Sequence, residues 1–492
     1  MKNEGYNALY RQIMKGTAVF GGTGLITMLA NIVKGKFVAV LLSDYGMGIS
    51  SLMQSALNPV QQLFLFGLPT VGVQEIATEG DAEKKAQKTL TFRRILYTLA
   101  FLGMCTMAVC ATLFSISTFG DDSHAVWFVE MSVALLFFIL AAGENTILQG
   151  YRRLKALAAC NLIGVVSGLV FSIPLYYFYG VEGIVPAMIV LAVMSYGCTR
   201  YFTRRIAISP QQETWRETWS KGYAMLMFGG AMMIAGVIGT LSTYFVNTFI
   251  RSYGSISDVG LFQAANTITL QCTSLVFTAM ATDYYPHLSS VLKQKKEAVQ
   301  LVEQEGEIVM LVMATITALL ILFAPLIVRV LLTEKFDGIA PLLRLIALSF
   351  IGRAFCFPLD YVCLAKGDKA FFFWVDGVWT NAKTFLLFVV GYYFFGLIGL
   401  GYATVANALI DIAVSFMLNK WRYGVHYSKA MLEVFLPLSA LNILALAATC
   451  LPNTLLSISI TAACVLTVCI FSYIQLDRRI GIKDLWKKYG KR

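Results

Sequence analysis

The sequence predicts an all-α protein that crosses a membrane about fourteen times. Three observations carry that expectation. Of 492 residues, 58% are hydrophobic and only 14% charged, and mean hydropathy is +0.69; soluble domains carry about 25% charged residues. Apolar runs of about twenty residues, enough to span a hydrocarbon core of ~30 Å, recur along the whole length. Lys and Arg gather on alternate connections: one set of loops carries only Arg251 and Lys335, while the other set and the two ends hold most of the 39 bases. By the positive-inside rule both termini are cytoplasmic. The same asymmetry explains the net charge of +11 and the pI near 9.1 without invoking nucleic acid. A β-barrel would show short alternating segments instead.

In chain order the spans are expected over 16–42, 48–77, 95–117, 124–147, 157–178, 181–201 and 222–250, then 259–288, 306–332, 339–364, 370–395, 398–419, 430–450 and 454–475. The opening "MKNEGYNALYRQIMKG" is too long and polar for the n-region of a cleaved signal, so insertion is expected through the first span. All ten cysteines fall inside spans without a CxxC pair and read as small apolar residues. His124, His287 and His426 are scattered, with no metal-ligand spacing.

The first half recurs in the second. "FGG" stands at Phe20–Gly22 and Phe228–Gly230, and "YG" at Tyr45–Gly46 and Tyr253–Gly254, both at an offset of 208. A "KG" precedes each copy, at Lys15 and Lys221, and Gly48 matches Gly260 at an offset of 212 after a four-residue insertion. Six spans per copy means that both copies enter the membrane in the same direction, a parallel repeat. The expected organisation is an N-terminal lobe over 1–205, a C-terminal lobe over 206–425, two further spans within 426–475, and a basic cytoplasmic tail over 476–492. The tail "DRRIGIKDLWKKYGKR" mixes apolar and basic residues and is expected to lie on the anionic inner leaflet.

Polar residues follow helical rows inside the oil. At 100° per residue, Ser51, Gln54, Ser55, Asn58 and Gln62 of span 2 share one face. In span 8, Gln263, Asn266, Thr267, Gln271, Ser274, Thr278 and Thr282 do the same, and at the 212 offset Gln54 meets Asn266 and Gln62 meets Ser274. Such rows turn away from lipid, either as interhelical glue or as the lining of a hydrated cavity. Charged residues sharpen the choice, because each costs ~2.5–3.5 kcal/mol at the bilayer centre. Arg353 and Asp360 are seven apart on span 10, and Asp376 and Lys383 are seven apart on span 11. Asp411 joins Thr404, Asn407 and Ser415 on span 12, and Lys34 and Lys36 sit late in span 1. These residues suit either interhelical ion pairs or an anion-binding cavity with titratable acids.

The stretch "FTAMATDYYPHLSSV", Phe277–Val291, closes span 8. Pro286 is expected to end or kink the helix. Tyr284 and Tyr285 read as interfacial aromatics, and Asp283 as a residue of the cavity or its cytoplasmic mouth.

The two-copy "FGG…YG…G" layout, "FTAMATDYYPHL", and the turns "LQGYRRLKA" (148–156) and "LAKGDKAFF" (364–372) resemble the bacterial O-antigen and polysaccharide flippases. These belong to the multidrug/oligosaccharidyl-lipid/polysaccharide exporter superfamily, and the resemblance covers nearly the whole chain. It implies two six-helix lobes plus a closing helix pair. It also implies transfer of a polyprenyl-diphosphate-linked oligosaccharide from the cytoplasmic to the outer leaflet of the bacterial inner membrane. The residues suit that cargo. Arg353, Lys383, Lys34 and Lys36 could meet the diphosphate; Gln54, Asn58, Gln62, Gln263, Asn266 and Gln271 could meet sugar; Asp360, Asp376, Asp411 and Asp283 could take H⁺ or Na⁺. No other cofactor is expected, and the chain is expected to work as a monomer beside polysaccharide assembly proteins. No GxxxxGK[ST] loop or GxSxG elbow is present, so the expectation is a transporter. The rival transporter is a drug/cation antiporter of the same superfamily, whose cavity should be dominated by acids. The rival enzyme, a membrane glycosyltransferase or polymerase, should carry a large soluble domain or a long outer loop.

Overall fold

The computed structural model describes residues 2–206, 214–292 and 294–480, with side chains from residue 26 onward except at a few helix positions. The expectations for the side chain of Asp283 and for tail residues 481–492 lie outside the described residues. Among the described residues, regular structure is entirely helical. In order the helices are α1 (Lys2–Leu65), α2 (Leu68–Thr78), α3 (Ala82–Val109), α4 (Ala111–Phe119), α5 (Ala125–Gly150), α6 (Leu154–Tyr179), α7 (Ile184–Arg204) and α8 (Trp215–Tyr253). Then follow α9 (Ile256–Val291), α10 (Lys295–Leu331), α11 (Ala340–Lys366), α12 (Lys369–Phe372), a π-helical turn at Phe373–Trp379, α13 (Thr380–Tyr423), α14 (Lys429–Ala448) and α15 (Thr454–Ile480).

Two of these helices each hold two spans. α1 breaks at Ser43, with φ 61°, and α13 at Gly396, with φ 59°. Divided there, the helices accommodate all fourteen expected spans. Among the described residues ten stretches are long and apolar enough to cross a membrane, and Ile26–Leu65, Leu154–Arg204 and Ala370–Tyr423 each contain two spans. The fourteenth span is α9, whose row of Gln, Asn and Thr lowers its hydropathy.

Three spans are interrupted where the sequence reads as continuous. Span 2 breaks at Phe66 and Gly67, both at positive φ, and restarts with Pro69 in the first turn of α2. Proline fits there because its missing N–H would be unpaired anyway. Span 3 pauses at Cys110 between α3 and α4. Span 11 passes through the π-helical turn. Conversely, α9 runs helically through position 286 to Val291, so Pro286 does not end it.

The repeated glycines have a packing reason. A Cβ on Gly48 would lie 1.9 Å from the carbonyl oxygen of Ile256, and one on Gly260 would lie 2.0 Å from that of Asp44. Each glycine therefore lets its helix start approach the turn leading into the other copy's helix.

Packing groups the chain into two compact units, Met1–Gly260 and Leu261–Arg492. This grouping follows contacts, whereas the lobes of the sequence follow the repeat. In the first unit α5 packs on α3 and α7, and α1 on α6 and α8. In the second, α11 lies against α10 and α13, and α14 and α15 pack on α10 around Ile321, Ala445 and Cys464.

Candidate functional site

Two adjoining cavities of the second unit share the side chains of Arg353 and Asp360. The polar one, about 330 Å³, is lined by Asn266 from α9, Arg353 and Asp360 from α11, and Asp376 from the π turn. Thr404, Asn407, Asp411 and Ser415 of α13 complete it, one helical row on one wall. The other, about 630 Å³, is lined by Phe277, Thr278, Tyr285, Arg353, Phe357, Asp360 and Tyr361.

Arg353 is exposed to these cavities, with its guanidinium carbon 5.3 Å from the centre of the Phe277 ring. Among the described residues no carboxylate holds it by a hydrogen bond. Asp360, one helical face further on, accepts instead from Ser415 Oγ at 2.7 Å. Lys383 is buried and paired with Asp411. Asn407 Nδ2 donates to the second Asp411 oxygen at 3.1 Å, and Thr384 Oγ1 to Asn407 Oδ1 at 3.1 Å. The seven-residue spacing puts Asp376 and Lys383 on one face of a regular helix. The π turn changes the residues per turn, so two turns no longer span seven positions. Asp376 enters the polar cavity, and Lys383 reaches across to the next span.

Hydrogen bonds to the backbone hold α11 in shape between Arg353 and Asp360. Pro358 has no N–H for the Ala354 carbonyl one turn back, and two tyrosines brace the carbonyls beside it. Tyr427 donates to the Phe355 carbonyl at 2.9 Å, and Tyr284 to the Pro358 carbonyl at 2.8 Å. Tyr284 is thus a buried strut, 2% exposed, and not an interfacial aromatic. Its neighbour Tyr285 is exposed and lines the larger cavity.

The first unit has a cavity of about 510 Å³ lined by Thr27, Asn31, Lys34, Asn145, Asn161, Ser195 and Thr199 among others. Lys36, about 200° round the helix from Lys34, does not line it. Next to Asn145, Glu144 is buried with both oxygens engaged: Arg93 at 2.7 Å, Arg200 at 3.2 Å and Tyr97 at 3.5 Å. Sequence reasoning missed this cluster: Arg93 falls just outside the expected span 95–117, and Glu144 falls near the end of 124–147. A carboxylate inside "AAGENTILQG" was the available signal.

The remaining polar residues divide. Gln54 donates to Asn58 at 2.9 Å, Asn247 to Ser51 at 3.5 Å, and Gln263 to Thr267 at 3.3 Å. Gln62 lies against α8, where a Cβ on Gly236 would sit 3.3 Å from its Oε1. These residues and Gln271 line none of the three cavities; of the two polar rows, Asn266 and Thr278 do. Among the described residues no cluster of His, Cys, Asp and Glu has the makings of a metal site.

The pattern of one protein family, described as polysaccharide biosynthesis protein, matches residues 37–341. No protein with a curated description matches the chain. Among solved structures, the lipid II flippase MurJ in an inward closed conformation is similar at TM-score 0.72 and 13% identity, over 94% of this chain and 99% of that one. An inward-facing MATE-family multidrug resistance transporter of the MOP superfamily is similar at TM-score 0.65 and 15% identity, over 83% and 96%. A MOP superfamily transporter from Pyrococcus furiosus, described as having a binding pocket of reversed polarity, is similar at TM-score 0.57 and 17% identity, over 83% and 96%.

Proposed function

The chain belongs to the polysaccharide biosynthesis protein family, and from that premise we propose that it is the flippase for a polyprenyl-diphosphate-linked oligosaccharide. It is a multi-pass membrane transporter of the MOP superfamily and not an enzyme. Its cargo is an O-antigen or other surface-polysaccharide repeat unit, carried by alternating access from the cytoplasmic to the periplasmic leaflet of the bacterial inner membrane. Both termini face the cytoplasm, and the monomer suffices, working beside the polysaccharide assembly proteins. The similarity to a lipid II flippase supports a lipid-linked cargo.

The observation that carries this reading is Arg353, a guanidinium open to two cavities with no carboxylate bonded to it among the described residues. A cavity-lining cation without a bonded anion favours an anionic ligand, and the guanidinium fork suits phosphate oxygens. Lys383, held by Asp411 in this state, is the second contact once cargo displaces the acid. Asp360 and Asp376 accept H⁺ or Na⁺ for the return stroke. Two negative charges moving outward gain roughly 4–5 kcal/mol at 100 mV, so membrane potential and cation antiport act in the same direction.

A drug/cation antiporter is the second reading, favoured by the three aspartates around the polar cavity. Cells lacking the gene separate the two. The flippase reading expects lipid-linked oligosaccharide to accumulate on the cytoplasmic leaflet, with surface polysaccharide restored by the wild-type gene and not by Arg353→Ala at equal abundance. Normal export together with sensitivity to cationic dyes would favour the antiporter.

A further inference from the structure

The larger cavity of the second unit carries more than the phosphate contact requires. Phe277, Phe357, Tyr361 and Tyr285 line it, and their rings form a continuous array. Ring centres are 5.1 Å apart for Phe277 and Phe357, 5.0 Å for Phe357 and Tyr361, and 6.0 Å for Tyr361 and Tyr285. Tyr284 packs edge-on against the array, 5.9 Å from the Tyr361 ring, and is tied by its hydroxyl to the α11 backbone. Arg353, Asp360 and Thr278 stand at the edge of the same space.

We propose that this aromatic groove is a saccharide subsite, which seats the sugar joined directly to the diphosphate. The proposal rests on the flippase reading and names the part of the cargo that occupies the groove. Aromatic faces are electron-rich, and the C–H-bearing face of a pyranose is their complement. A sugar also needs a few fixed polar partners, which Asp360, Thr278 and the tyrosine hydroxyls supply. The volume, about 630 Å³, falls within the ~300–1,000 Å³ of small-molecule sites. Connectivity agrees. The first sugar is bonded to the phosphate, and Arg353 lies against Phe277 at one end of the array. A phosphate on Arg353 therefore delivers the first ring to the groove. An isoprenoid chain fits less well, because it would place hydrocarbon against Arg353 and Asp360 without replacing their hydration. Asp360 also disfavours a uronic acid next to the diphosphate, so the expected first sugar is neutral.

The test uses the full chain in lipid nanodiscs. Affinity is measured for undecaprenyl diphosphate alone and, in separate arms, for the same lipid bearing glucose, galactose or N-acetylglucosamine. Wild type should bind at least one sugar-bearing lipid about tenfold more tightly than the sugar-free lipid, a difference of ~1.4 kcal/mol. Tyr361→Leu and Tyr285→Leu should each erase most of that difference without changing affinity for the sugar-free lipid, and Tyr361→Trp should keep it. Tyr285 is exposed and outside the core, so its variant does not depend on the fold tolerating a change at Tyr361. Equal weakening of both lipids would assign the groove to the polyprenyl chain and overturn the proposal. Wild-type binding without preference for any sugar would overturn it while leaving the flippase reading intact. Failure of wild type to bind any of these lipids would remove the flippase reading and the subsite together.

Discussion

The two units differ in how they hold the charges beside their cavities. In the first, Glu144 is closed off: two arginines and a tyrosine engage its oxygens, and the neighbouring cavity is left to Lys34 and three asparagines. In the second, charge at the cavity is left open: Arg353 has no bonded carboxylate among the described residues and Asp376 lines the cavity, while Lys383 pairs with Asp411 and, away from the cavity, Glu307 pairs with Arg479. A closed cluster holds helices together, because breaking it strands a buried charge. An open one has unused interaction energy for a ligand. On the proposed function, the first unit would then serve as a scaffold and the second as the seat of cargo and cation.

The largest effect should come from breaking the closed cluster. Glu144→Ala strands two arginines and should cost about 3–5 kcal/mol of stability, seen as lost abundance and a lower Tm in detergent. Normal abundance with lost transport would show that Glu144 is functional and would erase the contrast.

Lys383→Ala comes next. It leaves Asp411 with Asn407 alone and should lower transport by about tenfold, or ~1.4 kcal/mol. If Lys383 also meets cargo, Lys383→Ala with Asp411→Ala should regain abundance but little export. Full rescue of export would make the pair structural, like Glu144.

Lys34→Gln should matter less. It should lower export by about threefold at most, within the ~0.6 kcal/mol of an interhelical polar contact. A loss as deep as that of Arg353→Ala would move the phosphate contact to the first unit.

The smallest effect belongs to the exposed turn after α11. Arg422 Nε donates to Asp368 Oδ2 at 2.7 Å and holds its carboxyl below the usual carboxylate range. A depressed carboxylate contributes stability above its unfolded value, near 3.9, and loses it as pH falls through the folded value. Arg422→Ala should therefore lower Tm slightly at pH 7, and the gap should close below about pH 4. A gap that persists in acid would mean that Arg422 acts through packing on Phe371, whose ring centre is 5.2 Å away.

Much of this was legible in the sequence, for identifiable reasons. Hydropathy gave the spans because each must satisfy its own backbone in lipid. The row Thr404, Asn407, Asp411 and Ser415 was legible because α13 is regular there, and Arg353 with Asp360 because α11 is helical throughout. The Asp376–Lys383 spacing misled because a π turn leaves no mark in hydrophobic periodicity. The break at Phe66–Gly67 was hidden inside the apolar "LFLFGLPT", although Gly67 and Pro69 were its signal. Tyr284 looked interfacial because its partner, the Pro358 carbonyl, is distant in sequence. The aromatic groove was invisible for the same reason: two of its rings come from α9 and two from α11.

The central claim is that Arg353 is held for cargo and not for the fold. The direct measurement is export of lipid-linked oligosaccharide in cells carrying Arg353→Ala, Arg353→Lys, and Arg353→Ala with Asp360→Ala, each at matched abundance. The account predicts a loss of about tenfold or more for Arg353→Ala, ~1.4 kcal/mol per tenfold. Arg353→Lys should keep part of the activity, because a point charge attracts phosphate without the bidentate fork. The double variant should export no better than Arg353→Ala. Full export by the double variant would mean that Arg353 only balances Asp360, and the claim would be contradicted.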